Sequence, residues 1–204
     1  GVDLAALGAG GFKIFGEPES GYAGSDVSAA GDFNGDGFDD VIVGAFGAGA
    51  GGANAGAAFV IFGSATPTAV DLVDVANGTA SGLDLADIAG GTGGFKITGL
   101  VNNDFLGISV SAAGDINGDG IADLVIGANQ DDTGGSAAGA AFVVFGASSG
   151  LTSIDLNDIV VGTGGYRIFG ENGLDVSGFS VSAAGDVNGD GVDDLVIGAP
   201  FNDA

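Results

Sequence analysis

Gly185-Asp-Val-Asn-Gly-Asp-Gly-Val-Asp-Asp194 is the third copy of a pattern that also runs Gly31-Asp-Phe-Asn-Gly-Asp-Gly-Phe-Asp-Asp40 and Gly114-Asp-Ile-Asn-Gly-Asp-Gly-Ile-Ala-Asp123. In each copy Asp, Asn and Asp fall at alternate positions, a Gly follows, and another Asp stands three residues beyond that Gly. Hard cations such as Ca²⁺ take six to eight oxygens, and alternate positions of a tightly wound loop aim carboxylate and amide oxygens at one centre. The expected ligands are Asp32, Asn34, Asp36 and Asp40; Asp115, Asn117, Asp119 and Asp123; and Asp186, Asn188, Asp190 and Asp194. The main-chain carbonyls of Phe38, Ile121 and Val192 supply the oxygen at the seventh position, so about three Ca²⁺ ions are expected, one per loop.

The residues around the loop separate it from an EF-hand, which needs a bidentate Glu at position 12 and helices on both sides. Position 12 is Val43, Ile126 or Ile197. Upstream lie Val27-Ser-Ala-Ala30, Val110-Ser-Ala-Ala113 and Val181-Ser-Ala-Ala184; downstream lie Val41-Ile-Val43, Leu124-Val-Ile126 and Leu195-Val-Ile197. Short β-branched runs bounded by Gly and Asp read as buried strands. The loop is then a β-hairpin turn. Asn-Gly and Asp-Gly favour such turns with no metal at all, but a bare turn does not call for three crowded acids whose repulsion a cation would offset.

The loop belongs to a longer repeat. Gly11-Phe-Lys-Ile-Phe-Gly16 matches Gly94-Phe-Lys-Ile-Thr-Gly99 and Gly165-Tyr-Arg-Ile-Phe-Gly170, while Gly56-Ala-Ala-Phe-Val-Ile-Phe-Gly63 matches Gly139-Ala-Ala-Phe-Val-Val-Phe-Gly146. A shorter element precedes each Gly-Phe or Gly-Tyr segment: Val2–Leu7, Leu83–Ile88 and Ile154–Ile159, with a further copy at Val70–Val75. Asp followed by apolar residues three apart predicts one capped helical turn there. Four short strands per unit is the signature of a β-propeller blade.

Gly178 to Pro200, with Ser180-Val-Ser-Ala-Ala-Gly-Asp186 leading into the loop and Asp194-Leu-Val-Ile-Gly-Ala-Pro200 leaving it, resembles the FG-GAP repeat of integrin α-subunit propellers and their bacterial relatives. Gly44-Ala-Phe46 and Gly127-Ala-Asn129 lack the Pro. The resemblance covers nearly the whole chain. It implies a seven-bladed propeller with calcium in the hairpin between the first and second strands of certain blades. The expectation is an all-β fold of four-stranded antiparallel, integrin-α-like propeller blades, forming a partial propeller or open arc of about three blades. Residues 1–20 give the last strand of a preceding blade, 21–100 a blade with loop 32–40, 101–171 a blade with loop 115–123, and 172–204 a partial blade with loop 186–194. Such an array is read as a piece of a longer chain, or as an arc whose open edges pair with another copy.

Composition narrows the function. The 204 residues carry a formal charge of −24, from 27 acids against Lys13, Lys96 and Arg167. That balance argues against nucleic acid and anionic membranes, which need basic patches. No apolar run approaches the roughly 18 residues that span a bilayer. There are 44 Gly and 3 Pro, yet the recurring Val, Ile, Leu and Phe oppose disorder, so Gly is assigned to turns and close sheet packing. Without Cys there are no disulfides, which leaves calcium as the stabiliser of an extracellular β protein. Without Met or a leader at its start, the sequence reads as a mature or excised segment.

No His and no Cys removes the commonest general base, nucleophilic triads, thiolate nucleophiles and zinc sites. Ser28, Ser111 and Ser182 sit among small Ala residues and are assigned to packing, as are Phe15, Phe62, Phe145 and Phe169. The recurring cation at Lys13, Lys96 and Arg167 is expected to offset an Asp at a blade junction. Acids that recur in every repeat suit a scaffold better than one asymmetric catalytic centre, so no enzyme is expected. Binding specificity belongs to the unrepeated loops Glu17–Ser25, Phe46–Ala55, Val101–Leu106, Asn129–Ala138 and Glu171–Ser177, in which Tyr22 is the main aromatic exception. The expected role is a calcium-binding, secreted or cell-surface adhesion segment with a protein or glycan ligand. The alternatives are a non-catalytic accessory module of a larger secreted hydrolase or lyase, and a self-assembling extracellular structural subunit.

Overall fold

The structure is a computed structural model and describes residues 14–16, 21–49, 51–64, 83–84, 93–149, 151 and 153–203. Its strands are β1 (Ile14–Phe15), β2 (Val27–Gly31), β3 (Asp40–Ala45), β4 (Ala57–Ile61), β5 (Leu83–Asp84), β6 (Gly94–Thr98), β7 (Leu106–Gly114), β8 (Asp123–Ala128), β9 (Ala140–Val144), β10 (Gly165–Phe169), β11 (Ser180–Gly185) and β12 (Asp194–Gly198). Among the described residues a short helix, α1 (Leu156–Val160), precedes β10. The order β2-β3-β4-β6 forms one antiparallel four-stranded sheet and β7-β8-β9-β10 a second, while β11-β12 is a two-stranded hairpin. These are two whole blades and part of a third, an all-β partial propeller of about three blades.

Middle strands are apolar without alternation because both of their faces are covered. Every residue of β4, β8 and β9 is buried. Successive side chains leave a strand on opposite faces. Ala58 and Val60 of β4 and Ile42 of β3 therefore meet Leu124, Ile126, Phe142 and Val144 of the second sheet, in a core shared by the two blades. Val43, Phe59 and Ile61 point the other way into a cluster that includes Ile14. Val125, Ala141 and Val143 use the far face of the second sheet to pack against Val181, Leu195 and Ile197 of the third blade.

First strands are edges, and two features tie each to its neighbours. A register shift interrupts β2, β7 and β11 just before Gly31, Gly114 and Gly185, which sit at φ +64, +76 and +69. This bulge needs a left-handed residue, and Gly takes that conformation without a Cβ penalty. The other feature is a hydrogen-bond chain from blade to blade. Asp26 Oδ2 accepts from Val110 N at 2.8 Å and from Ser109 Oγ at 3.1 Å, and Ser109 Oγ accepts from Val181 N at 3.2 Å.

Some details depart from expectation. Ser28 and Ser111 are half-buried and Ser182 is exposed, because an edge strand is covered less fully than a central one. Phe62 and Phe145 pack against the cores, but Phe169, on an outer strand, is 56% exposed. The capped turn at Ile154–Ile159 forms as α1, where Asp155 accepts from Asn157 N at 2.8 Å. Leu83–Asp84 is extended and pairs in parallel with Ile14–Phe15, as Asp155 is extended ahead of α1, and the rest of that connector, residues 85–88, lies outside the described residues. The connectors Val2–Leu7 and Val70–Val75, together with Gly11–Lys13, lie outside the described residues.

Candidate metal centres

Each acidic loop joins the first and second strands of a blade, and its side chains build the same hydrogen-bond frame three times. Asp32 accepts from Asp36 N and Gly37 N, each at 2.9 Å, one on each carboxylate oxygen. Asn34 Oδ1 accepts from Asp36 N at 2.9 Å, and Asp36 Oδ1 accepts from Phe38 N at 2.9 Å. The second loop repeats this with Asp115, Asn117 and Asp119, and the third with Asp186, Asn188 and Asp190. The alternate-position pattern thus serves two ends. It spaces the oxygens, and it lets each side chain hold the main chain two to five residues ahead.

The Asp at the ninth position faces the protein. Asp40 accepts from Phe33 N at 3.1 Å and from Gly63 N at 2.8 Å, and Asp123 from Ile116 N and Gly146 N, both at 2.9 Å. Gly63 and Gly146 lie just past the third strands, whose ends sit beside Asp40 and Asp123, so these carboxylates fasten the loop to the third strand at the loop's own end of the sheet. Asp40 and Asp123 are 1% and 0% exposed. Burial pushes the Asp123 carboxyl up to about 6; the two amides pull it down, and Asp119 and Asp115 raise it further. Asp40 is likewise raised by burial, against the amides of Gly63, Phe33 and Asn34. In the third loop Asp194 is half-exposed and takes Val187 N at 2.8 Å and both nitrogens of Asn188.

Among the described residues no three carboxylates gather closely enough to cage an ion on their own. Asp, Asn and Asp are brought together at positions one, three and five, and the ninth Asp, like the first, accepts main-chain amides on its carboxylate. The donor chemistry still fits a hard cation. All the side-chain donors are oxygens, each carboxylate offers about four lone-pair sites, and the amides described use only some of them. Asp32, Asn34 and Asp36 and their counterparts would hold the ion, with the carbonyl of Phe38, Ile121 or Val192. Asp40, Asp123 and Asp194, the fourth expected side-chain ligands, also set the loop's position through the amides they accept.

Residue two of the loop is a feature the ligand pattern passed over. Phe33 is fully buried, its ring 6.1 Å from that of Phe95, and Ile116 packs against the second inter-blade core. The signal was an apolar residue between Asp and Asn in every copy, Phe33, Ile116 and Val187. The recurring cations also do more than balance charge. Arg167 pairs with Asp131 at 3.4 Å, and it lies over the ring of its cross-strand partner Phe142, as Lys96 does over Phe59.

A four-stranded meander repeated blade after blade, with an acidic turn between its first two strands, defines a β-propeller repeat protein. The FG-GAP repeat profile matches residues 23–61, 106–144 and 177–204, together more than half of the chain. The chain belongs to the FG-GAP repeat family. It is also 33% identical over 96 residues to integrin alpha pat-2 of Caenorhabditis elegans, an alignment covering 46% of this chain and 7% of that protein.

Proposed function

We propose that this chain is a calcium-stabilised β-propeller segment of a secreted or cell-surface protein, with a structural and adhesive role. The observation that carries the reading is the identical frame of all three loops, in which Asp, Asn and Asp are already ordered by main-chain amides. Such preorganisation lowers the entropy cost of closing the loop on a cation. The ion supplies positive charge where acids crowd a turn, and calcium at 100 times its Kd stabilises the fold by about 2.7 kcal/mol per independent site. Adhesion is supported by the integrin α relative and by the aromatic contacts among three unrepeated loops. Tyr22 stacks on Phe46 at 4.8 Å, and Phe46 meets Phe105 edge-on at 5.8 Å. The ligand would be a protein or glycan surface.

Thermal unfolding in millimolar calcium and in EDTA tests this. The reading predicts a clearly higher midpoint in calcium, lost when Asp32, Asp115 and Asp186 are all changed to Ala. Equal midpoints in the two buffers would reduce the loops to ordinary hairpin turns.

A further inference from the structure

The second and third acidic loops touch, through Asp193. This residue is the eighth of its loop, between Val192 and Asp194. Its carboxylate Oδ2 accepts from the main-chain N–H of Asp115, the first residue of the second loop, at 2.9 Å. The carboxylate occupies the space beside Gly114, where any Cβ would collide with it. The preceding pair of loops provides a natural control. There the eighth residue is Ala122, whose methyl would lie 2.7 Å from a Cβ built on Gly31, so the approach is as close but carries no charge or hydrogen bond.

We propose that Asp193 couples calcium binding in the second and third loops, leaving the first independent. The inference rests on the reading of these loops as calcium sites. Val192 and Asp194, on either side of Asp193, are expected ligands of the third loop, so an ion held there fixes the main chain of Asp193. The fixed carboxylate orients the amide of Asp115 and brings a fourth acid to the side of the second loop. Both effects favour a cation on Asp115, Asn117 and Asp119. Linkage makes the coupling reciprocal, so an ion in the second loop tightens the third by the same factor.

The test is a calcium titration of the 15N-labelled chain, followed at the amides of Gly37, Gly120 and Gly191, each bonded to the first Asp of its own loop. Disabling the third loop with Asp186→Ala plus Asp190→Ala should weaken calcium at Gly120 by about five-fold or more, within the usual range of coupling between sites, and leave Gly37 unchanged. In an Asp193→Ala background the same disabling changes should no longer move Gly120. Ala122→Asp, which transplants the carboxylate, should make Gly37 respond to the state of the second loop. Loss of the third loop weakening both other loops equally, or weakening Gly120 as much without Asp193 as with it, would overturn the coupling and leave the calcium reading standing. No calcium-dependent shift at any of the three amides would overturn both.

Discussion

Asp123 has no exposed surface, and both of its oxygens are held by main-chain amides from two different parts of its blade. Its truncation strands two main-chain donors, the buried N–H of Gly146 and the part-buried N–H of Ile116, at about 1–3 kcal/mol for a buried one. Asp123→Ala should therefore lower the unfolding midpoint sharply even in EDTA. Asp36→Ala, at an exposed position, should cost little in EDTA and show its defect only in calcium. Urea unfolding of both variants in both buffers separates anchor from ligand. Spacing alone marks all four side chains as ligands; that Asp123 also anchors the end of the third strand was illegible because Gly146 lies 23 residues beyond it. Asp104 is another buried acid, 7% exposed, pushed up to about 7 by burial and by Asp131 and Asp132, against a lowering from Arg167. The equivalent pair in the next blade is Asp175 with Asn202, where the amide donates to the carboxylate at 3.0 Å. The unfolded chain loses the Asp104 proton near 3.8 and the folded chain near 7, so between these values the native state holds more protons. Stability from this group is full below pH 4 and falls as pH rises, by at most about 1.4 kcal/mol per unit. Asp104→Asn should flatten that fall between pH 4 and 7, as read from urea midpoints in EDTA. An unchanged slope would contradict the assignment.

Strands were legible element by element, because a run such as Asp123-Leu-Val-Ile-Gly-Ala128 is apolar on both faces and bounded by turn residues. The reason for Gly inside such runs required the neighbouring blade. A Cβ on Gly44 would strike the carbonyl of Gly107, and one on Gly127 that of Gly178, so these glycines let consecutive blades approach. Gly198, at the matching position of β12, meets only the side chain of Ser180 closely. Gly127→Ala should thus destabilise the chain by about 1–3 kcal/mol through overpacking, and Gly198→Ala should be nearly neutral. Similar losses for the two would show that the cost is a general property of Gly in these strands. The connectors were less legible. The Asp-Leu-x-x-Ile spacing gives a capped turn at α1, whereas the parallel pairing of Leu83–Asp84 with Ile14–Phe15 is a long-range choice that local spacing does not encode.

The molecule as a whole is an arc of blades stacked through cores that each join two sheets, and the repeat read from the sequence corresponds to that stacking. Phe179, Val196 and Phe201 on and beside the third-blade hairpin are more than half exposed. The central claim is that the three acidic turns are calcium sites on which the fold depends. Isothermal titration calorimetry of calcium into the chelator-treated chain tests it most directly. The account predicts about three bound ions per chain, one per loop, reduced by one when Asp32 and Asp36 are both changed to Ala. No heat of binding, or an unchanged stoichiometry in that variant, would contradict it.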